Sequence, residues 1–257
     1  MLTERSARVA AAVKLHRHVA RRRAGSFLAE GLNLVEAASA RGLVRDVFVT
    51  ESAAERYSSF LGAAQSPVHL VTDRAAKALS DTVTPAGLVA MCEMPATRLE
   101  DVLAGAPRLV VVPVEISEPG NAGTVIRIAD AMGAAAVILG GHSVDPYNGK
   151  CLRASAGSIF SIPVVVAPDA QAAVGALRAA GLQLLATTVD GETSLEDADL
   201  ARPTAWLFGP ESHGLSAEIA AGADHRVRIP MSGGAESLNV ASAAAICLYQ
   251  SARALDG

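Results

Sequence analysis

Residues 229–249, IPMSGGAESLNVASAAAICLY, constrain the fold of this chain more than any other stretch. An apolar run ends at a Gly-Gly pair. A polar Glu-Ser-Leu-Asn turn follows, then a long run of small and apolar residues. This is the layout of a strand end, a loop and a helix start, the place where open α/β sheets hold their ligands. The layout occurs twice more, at residues 207–216 (LFGPESHGLS) and 118–133 (EPGNAGTVIRIADAMG). Three loops of one design on one sheet predict one composite site.

The pattern around these loops sets the fold class. Near-continuous apolar runs predict strands at 109–114, 135–139, 163–166, 183–188, 205–208 and 226–229. Helices are expected between them at 124–132, 149–156, 170–180, 216–221 and 239–255. Buried strands alternating with helices imply an α/β fold with a parallel sheet covered on both faces. The first 95 residues read as a smaller α/β unit. One or two helices over 3–23 are followed by strands at 27–30, 44–50, 68–71 and 87–94. Further helices fall at 31–40, 52–61 and 73–80, the last with Asp73 as its N-cap. The expected division is therefore 1–95, a linker at 96–107 with a short helix near 99–103, and 108–257.

The composition allows a large core, with 51% hydrophobic and 19% charged residues in 257. No run of 18 apolar residues is present, so no membrane span is expected. The charged N-terminus lacks a signal-peptide core. Cys92, Cys151 and Cys247 are far apart and form neither a metal spacing nor a disulfide framework. A reducing cytoplasm is the expected setting. Net charge is −4, yet residues 1–25 carry seven Arg and Lys against Glu4 alone. Such a patch can hold phosphates even on an acidic protein, or it can simply be a solvated helix.

Each loop has a plain structural reading beside a chemical one. Gly120 and Gly123 let backbone approach a ligand, and Asn121 can cap a helix or bond a ligand. Arg127 sits further along that helix, facing either solvent or a cleft. Glu211 can cap a helix start, or work with His213 as an acid/base pair. Ser237 and Asn239 are both good N-cap residues. The loops lack Gly-Lys-Ser/Thr and GxGxxG, which disfavours a P-loop nucleotide site and a dehydrogenase. GPESHG does not centre its serine as a nucleophile elbow does, which disfavours a hydrolase. No His, Cys or carboxylate spacing suits zinc.

With all three loops in order, the sequence resembles the SpoU (TrmH-type) branch of the SPOUT RNA methyltransferases from about residue 108 to the end. The first 95 residues resemble that family's ribosomal-protein-like (L30e-like) substrate-binding domain, through the basic start, FLAEGLNLVEAA and TPAGLVAM. The Pro210 and Ser212–His213 positions are a mild variation on the second motif.

The resemblance implies a C-terminal SPOUT domain with a deep trefoil knot, although general topology rules disfavour knots. It implies a homodimer packed partly through the final helix. It implies S-adenosyl-L-methionine (AdoMet) as methyl donor, with no metal, held by Thr187, Gly209, Ile229 and Leu238. It implies Arg127, Asn121, Glu211, Ser237 and Asn239 as the reaction centre, and methylation of a ribose 2′-hydroxyl in structured RNA. Ribosomal RNA of the large subunit is the expected substrate, with Arg17, Arg21, Arg22 and Arg23 as RNA contacts. A tRNA substrate, an antibiotic-resistance rRNA methylase and a non-catalytic RNA-binding module are the alternatives.

Overall fold

The computed structural model describes residues 1–256. The chain forms two compact units, one of residues 1–96 with 147–160, the other of 97–146 with the described residues from 161 onward. The first unit has strands β1 (Ser26–Glu30), β2 (Val44–Val49), β3 (Val68–Leu70) and β4 (Leu88–Glu93). They form a sheet in the order β1-β4-β2-β3. β4 runs antiparallel to both neighbours, and β2 parallel to β3. Val9, Phe48, Ala75, Leu79 and Val89 share one core cluster of this unit.

The first unit also takes in residues 147–160, which the alternation pattern assigned to the second half of the chain. Aromatic packing explains the transfer. Phe27 of β1 is fully buried and meets the ring of Tyr147 at 4.8 Å and that of Phe160 at 6.0 Å. Helix Gly149–Ser155 follows, with Cys151 and Leu152 buried and Arg153 ion-paired to Asp81.

Three local expectations shift. Residues 52–61 form two short helices, Glu51–Arg56 and Ser58–Ala63. Helix Asp73–Leu79 is capped by Thr72, whose Oγ1 accepts from Ala75 N, rather than by Asp73. Helix Pro119–Ala131 starts five residues earlier than the apolar pattern indicated. Proline at its first position is already set to a helical φ, and the Glu118 carboxylate accepts from Gly120 N at 3.1 Å. The EPGN stretch is thus the helix cap and first turn, and Asn121 lies within the helix.

The second unit has strands β5 (Leu109–Pro113), β6 (Ala136–Gly140), β7 (Val164–Ala167), β8 (Gln183–Thr187), β9 (Thr193–Ser194), β10 (Thr204–Phe208) and β11 (His225–Arg228). Their order is β7-β6-β5-β10-β8-β11-β9, and every pairing is parallel. Val110, Val112, Ile138, Leu184 and Leu207 fill one core cluster with helix Ala170–Ala179. Trp206 is fully buried, and its Nε1–H donates to Ser251 Oγ of the last helix at 2.8 Å. That helix, Val240–Asp256, packs against helix Pro119–Ala131.

This order places the loops. From β5 the chain goes outward through β6 and β7, then returns to β8 on the far side of β10. The sheet therefore has a switch point between the adjacent strands β5 and β10, where such sheets open a crevice. Phe208 pairs with Pro113, so the first two motif loops leave the sheet at one level. Val227 pairs with Thr187, so the third leaves the same edge.

Candidate active site

One carboxylate oxygen ties the three loops together. Glu211 Oε1 accepts from Asn121 Nδ2 at 2.8 Å, from Asn239 Nδ2 at 2.8 Å and from Val240 N at 3.3 Å. Asn239 Nδ2 also donates to Asn121 Oδ1 at 3.2 Å. Asn121 is fixed by the first turn of its helix. Asn239 caps the final helix, its Oδ1 accepting from Ala241 N at 2.9 Å. Glu211 thus closes the start of the last helix onto the other two motifs.

Beside this clasp lies a cleft of about 580 Å³. Thr187, Gly209, Ile229 and Leu238, the four expected cofactor residues, all line it, as do Glu211 and Ser237. Thr187 Oγ1 donates to Leu207 O at 3.1 Å, which fastens the ends of β8 and β10. Gly209 has a reason of its own to be glycine. A Cβ there would meet Gly214 C and Leu215 N at 2.3 Å, so the 209–214 loop folds back on its own backbone.

The apolar wall includes Met231 and Val240 as well as Ile229 and Leu238. The charged lining residues are Asp190, Glu211 and Glu236 against Arg226. Arg226 is itself engaged, its Nε bonding Glu192 at 2.9 Å and its Nη1 lying 3.6 Å from Asp190. The cleft is therefore net negative. His213 also lines it, with Nδ1 2.8 Å from Ser212 Oγ and Nε2 4.0 Å from Glu115.

Sequence reasoning missed Thr188. Its hydroxyl is buried on the cleft wall without a hydrogen-bond partner among the described residues. A threonine at a strand end gives no signal of this kind, because the orphaned atom exists only once the neighbouring strands are placed.

Arg127 stands apart from the cleft lining. It is exposed and makes no ion pair among the described residues. It lies six residues beyond Asn121, about one and two-thirds turns, and so leaves the helix from another face. The four N-terminal arginines also divide. Arg17, Arg22 and Arg23 are exposed. Arg21 is only 5% exposed, and its Nη1 donates to Leu15 O at 2.9 Å and His16 O at 3.0 Å. The expected exposed role for Arg21 is thus corrected: it pins the corner between two helices.

Among the described residues no group of three His, Cys, Asp or Glu is placed to hold a metal ion. The three cysteines are buried. Burial pushes the Cys92 thiol up to about 12 and the Cys247 thiol well above its ordinary value, so neither serves as a nucleophile. No helix among the described residues is long and apolar enough to cross a membrane.

The model of the SpoU rRNA methylase family matches residues 108–249, which contain the clasp and the whole cleft from Thr187 to Ala243. The chain belongs to the SpoU rRNA methylase family. A second family model, the MRM3-like substrate-binding domain, matches residues 6–90 of this SpoU chain. The 23S rRNA (guanosine(2553)-2′-O)-methyltransferase RlmP of Bacillus subtilis (strain 168) is 35% identical over 92% of each chain. The SpoU methyltransferase AviRb of Streptomyces viridochromogenes, solved in complex with AdoMet, superposes with a TM-score of 0.88. It is 34% identical, covering 97% of this chain and 98% of its own. An AdoMet-bound rRNA methyltransferase of Sinorhizobium meliloti gives a TM-score of 0.85 at 32% identity, over 96% of this chain and 95% of its own. The likeness to these structures takes in residues of both units.

Proposed function

We propose that this chain transfers a methyl group from AdoMet to a ribose 2′-hydroxyl of ribosomal RNA, most specifically of the large subunit. The observation that carries the reading is the character of the cleft. It combines an apolar wall, exposed strand ends and a net negative lining. That suits a neutral adenosine joined to a cationic sulfur. It opposes a dinucleotide, whose pyrophosphate needs positive charge or a free helix N-terminus. The AdoMet-bound AviRb and Sinorhizobium meliloti structures and the 23S rRNA 2′-O-methyltransferase activity in the name of RlmP support the same substrate pair.

Thr187, Gly209, Ile229 and Leu238 would hold AdoMet, and the orphaned Thr188 hydroxyl is a further group able to bond it. When bound, AdoMet supplies a methyl group already activated by a positive sulfur. The protein's own task is then positioning and charge stabilisation. Glu211 fixes Asn121, Asn239 and the final helix in one arrangement. Ser237, on the cleft wall, offers a hydroxyl to the substrate. Arg127 takes the RNA backbone. Its planar fork of donors can clamp a phosphate and stabilise the 2′-oxygen as that atom gains charge.

Calorimetry tests the cofactor reading. AdoMet should bind and NAD should not; the reverse would overturn it. Thr188→Val offers a sharper check, since it removes the orphan hydroxyl without changing shape. The free protein should gain about 1 kcal/mol while AdoMet affinity falls. Unchanged AdoMet affinity would mean that this hydroxyl meets no ligand.

The first unit is assigned to RNA binding through its basic corner. Replacing Arg17, Arg22 and Arg23 with alanine should weaken RNA binding and lower the salt slope by roughly one unit per lost phosphate contact. AdoMet affinity should not change. Arg21 is left out of this variant because its side chain holds the fold.

A homodimer packed through helix Val240–Asp256 is supported by Ile246 and Tyr249, which stay 38% and 53% exposed on that helix. A trefoil knot is supported by the path of residues 229–239, which leave β11 beyond β8 and end at a helix packed on Pro119–Ala131. An rRNA substrate in turn supports a cytoplasmic setting.

A further inference from the structure

The first unit encloses a cavity of about 210 Å³ that methyl transfer does not use. Leu28, Leu79 and Leu152 give it apolar walls, joined by the buried ring of Tyr147. Its charged groups, apart from His16, come as two cations and two anions. Arg21 and Arg153 bring guanidinium donors, and Glu30 and Asp81 bring carboxylate acceptors.

These groups are held before any ligand arrives. Glu30 Oε1 accepts from Ser80 Oγ at 2.8 Å, Thr82 Oγ1 at 3.2 Å and Ala86 N at 3.0 Å. Its other oxygen, Oε2, accepts from Ser80 Oγ alone among these. Arg21 is fixed by two backbone carbonyls, and Arg153 by Asp81. Polar groups locked in this way lose little freedom when they bind.

A space of this size, lined by apolar side chains together with charged groups of both signs, suits one heterocyclic base. Guanine matches these groups best. Its O6 and N7 accept from a guanidinium, and its N1–H and N2–H₂ donate to a carboxylate. An independent feature lies next to the cavity. His16 lines it and bonds Ala78 O at 3.1 Å, and exposed Arg17 follows directly in the chain. Exposed Arg22 and Arg23 follow buried Arg21. Exposed cations thus adjoin, along the chain, residues that line a base-sized cavity.

We propose that this cavity receives an unstacked guanine of the substrate RNA while Arg17, Arg22 and Arg23 hold the adjoining phosphates. Single-stranded RNA is commonly read in this way, base by base, outside the duplex. The proposal rests on the RNA-methylation reading above.

The test uses the full chain and Ala78→Leu, which fills the cavity from a half-buried wall position and removes no polar group. In NMR titrations, GMP should shift the Tyr147 ring signals of the wild type, with AMP and UMP at least tenfold weaker. Ala78→Leu should abolish those shifts. It should also weaken binding of ribosomal RNA roughly ten- to hundredfold. The salt slope, AdoMet affinity and melting temperature should stay as in the wild type. GMP and RNA binding both unchanged in the variant would overturn the proposal. GMP binding lost with RNA affinity unchanged would also overturn it, and would point to a free guanine nucleotide. A wild type that binds GMP but methylates no RNA would sink the parent reading and leave a nucleotide site. If Ala78→Leu does not fold, Asp81→Asn takes its place; it should remove the preference for GMP over AMP, and a preserved preference would contradict the guanine assignment.

Discussion

Arg127→Ala is expected to lower methyl transfer about 100- to 1,000-fold while AdoMet affinity stays at the wild-type value. That magnitude is typical of removing one hydrogen-bond donor from a developing oxyanion. The side chain is exposed and makes no ion pair among the described residues, so its removal disturbs no internal contact. The loss should therefore appear in turnover and not in the melting temperature. Arg127→Lys separates two roles. Lysine keeps the charge but is a point cation without the planar fork. If the guanidinium clamps phosphate and 2′-oxygen together, the lysine variant should still lose at least about tenfold. A lysine variant with most of the wild-type turnover would show that charge alone is needed.

The second large effect is expected at Glu211. Its Oε1 gathers donors from two side chains and one backbone N–H, each from a different point of the three-loop assembly. Glu211→Ala removes this shared acceptor, leaves Asn239 Nδ2 only its bond to Asn121 Oδ1, and frees the start of the final helix. Methyl transfer should fall roughly 100-fold, the scale of a misplacement of about 1 Å at a reacting centre. AdoMet affinity should fall as well, because the same loops line the cleft, which distinguishes this variant from Arg127→Ala. Glu211→Gln keeps one accepting oxygen and should be milder. Asn121→Ala placed on top of Glu211→Ala should add little, since residues sharing one network are not additive. Full additivity in that double-mutant cycle would mean the clasp does not act as a unit.

The parts of this site that were legible in the sequence share a cause. Asn121, Glu211 and Asn239 lie in strand–loop–helix transitions, and a parallel sheet brings all such transitions to one edge. Their common location followed from the fold class alone. Their mutual bonds did not, because capping was an equally good use for each side chain, and Asn239 in fact does both. Arg21 shows the opposite case. Within the run Arg21-Arg22-Arg23 nothing in residue type separates a buried guanidinium from two exposed ones. Only the corner formed by helices Ala7–Val13 and His18–Ala24, with carbonyls at Leu15 and His16, makes the difference.

That residues 147–160 pack with the first unit is not legible in the sequence for a related reason. Periodicity reports which residues are buried, but not in which core. The aromatic contacts of Phe27 with Tyr147 and Phe160 join segments more than a hundred residues apart, and no local pattern carries that information. The start of helix Pro119–Ala131 was hidden because Pro119 and Gly120 read as loop residues, although proline favours the first helical position.

The measurement that bears most directly on the central claim is methyl transfer from labelled AdoMet to purified total RNA, wild type beside Arg127→Ala, followed by alkaline hydrolysis. A 2′-O-methyl group removes the oxygen that attacks the neighbouring phosphate, so the modified linkage survives as a dinucleotide. The account predicts label in alkali-resistant dinucleotides from large-subunit ribosomal RNA, lost with the variant. Label recovered on mononucleotides would mean methylation of a base and would contradict it.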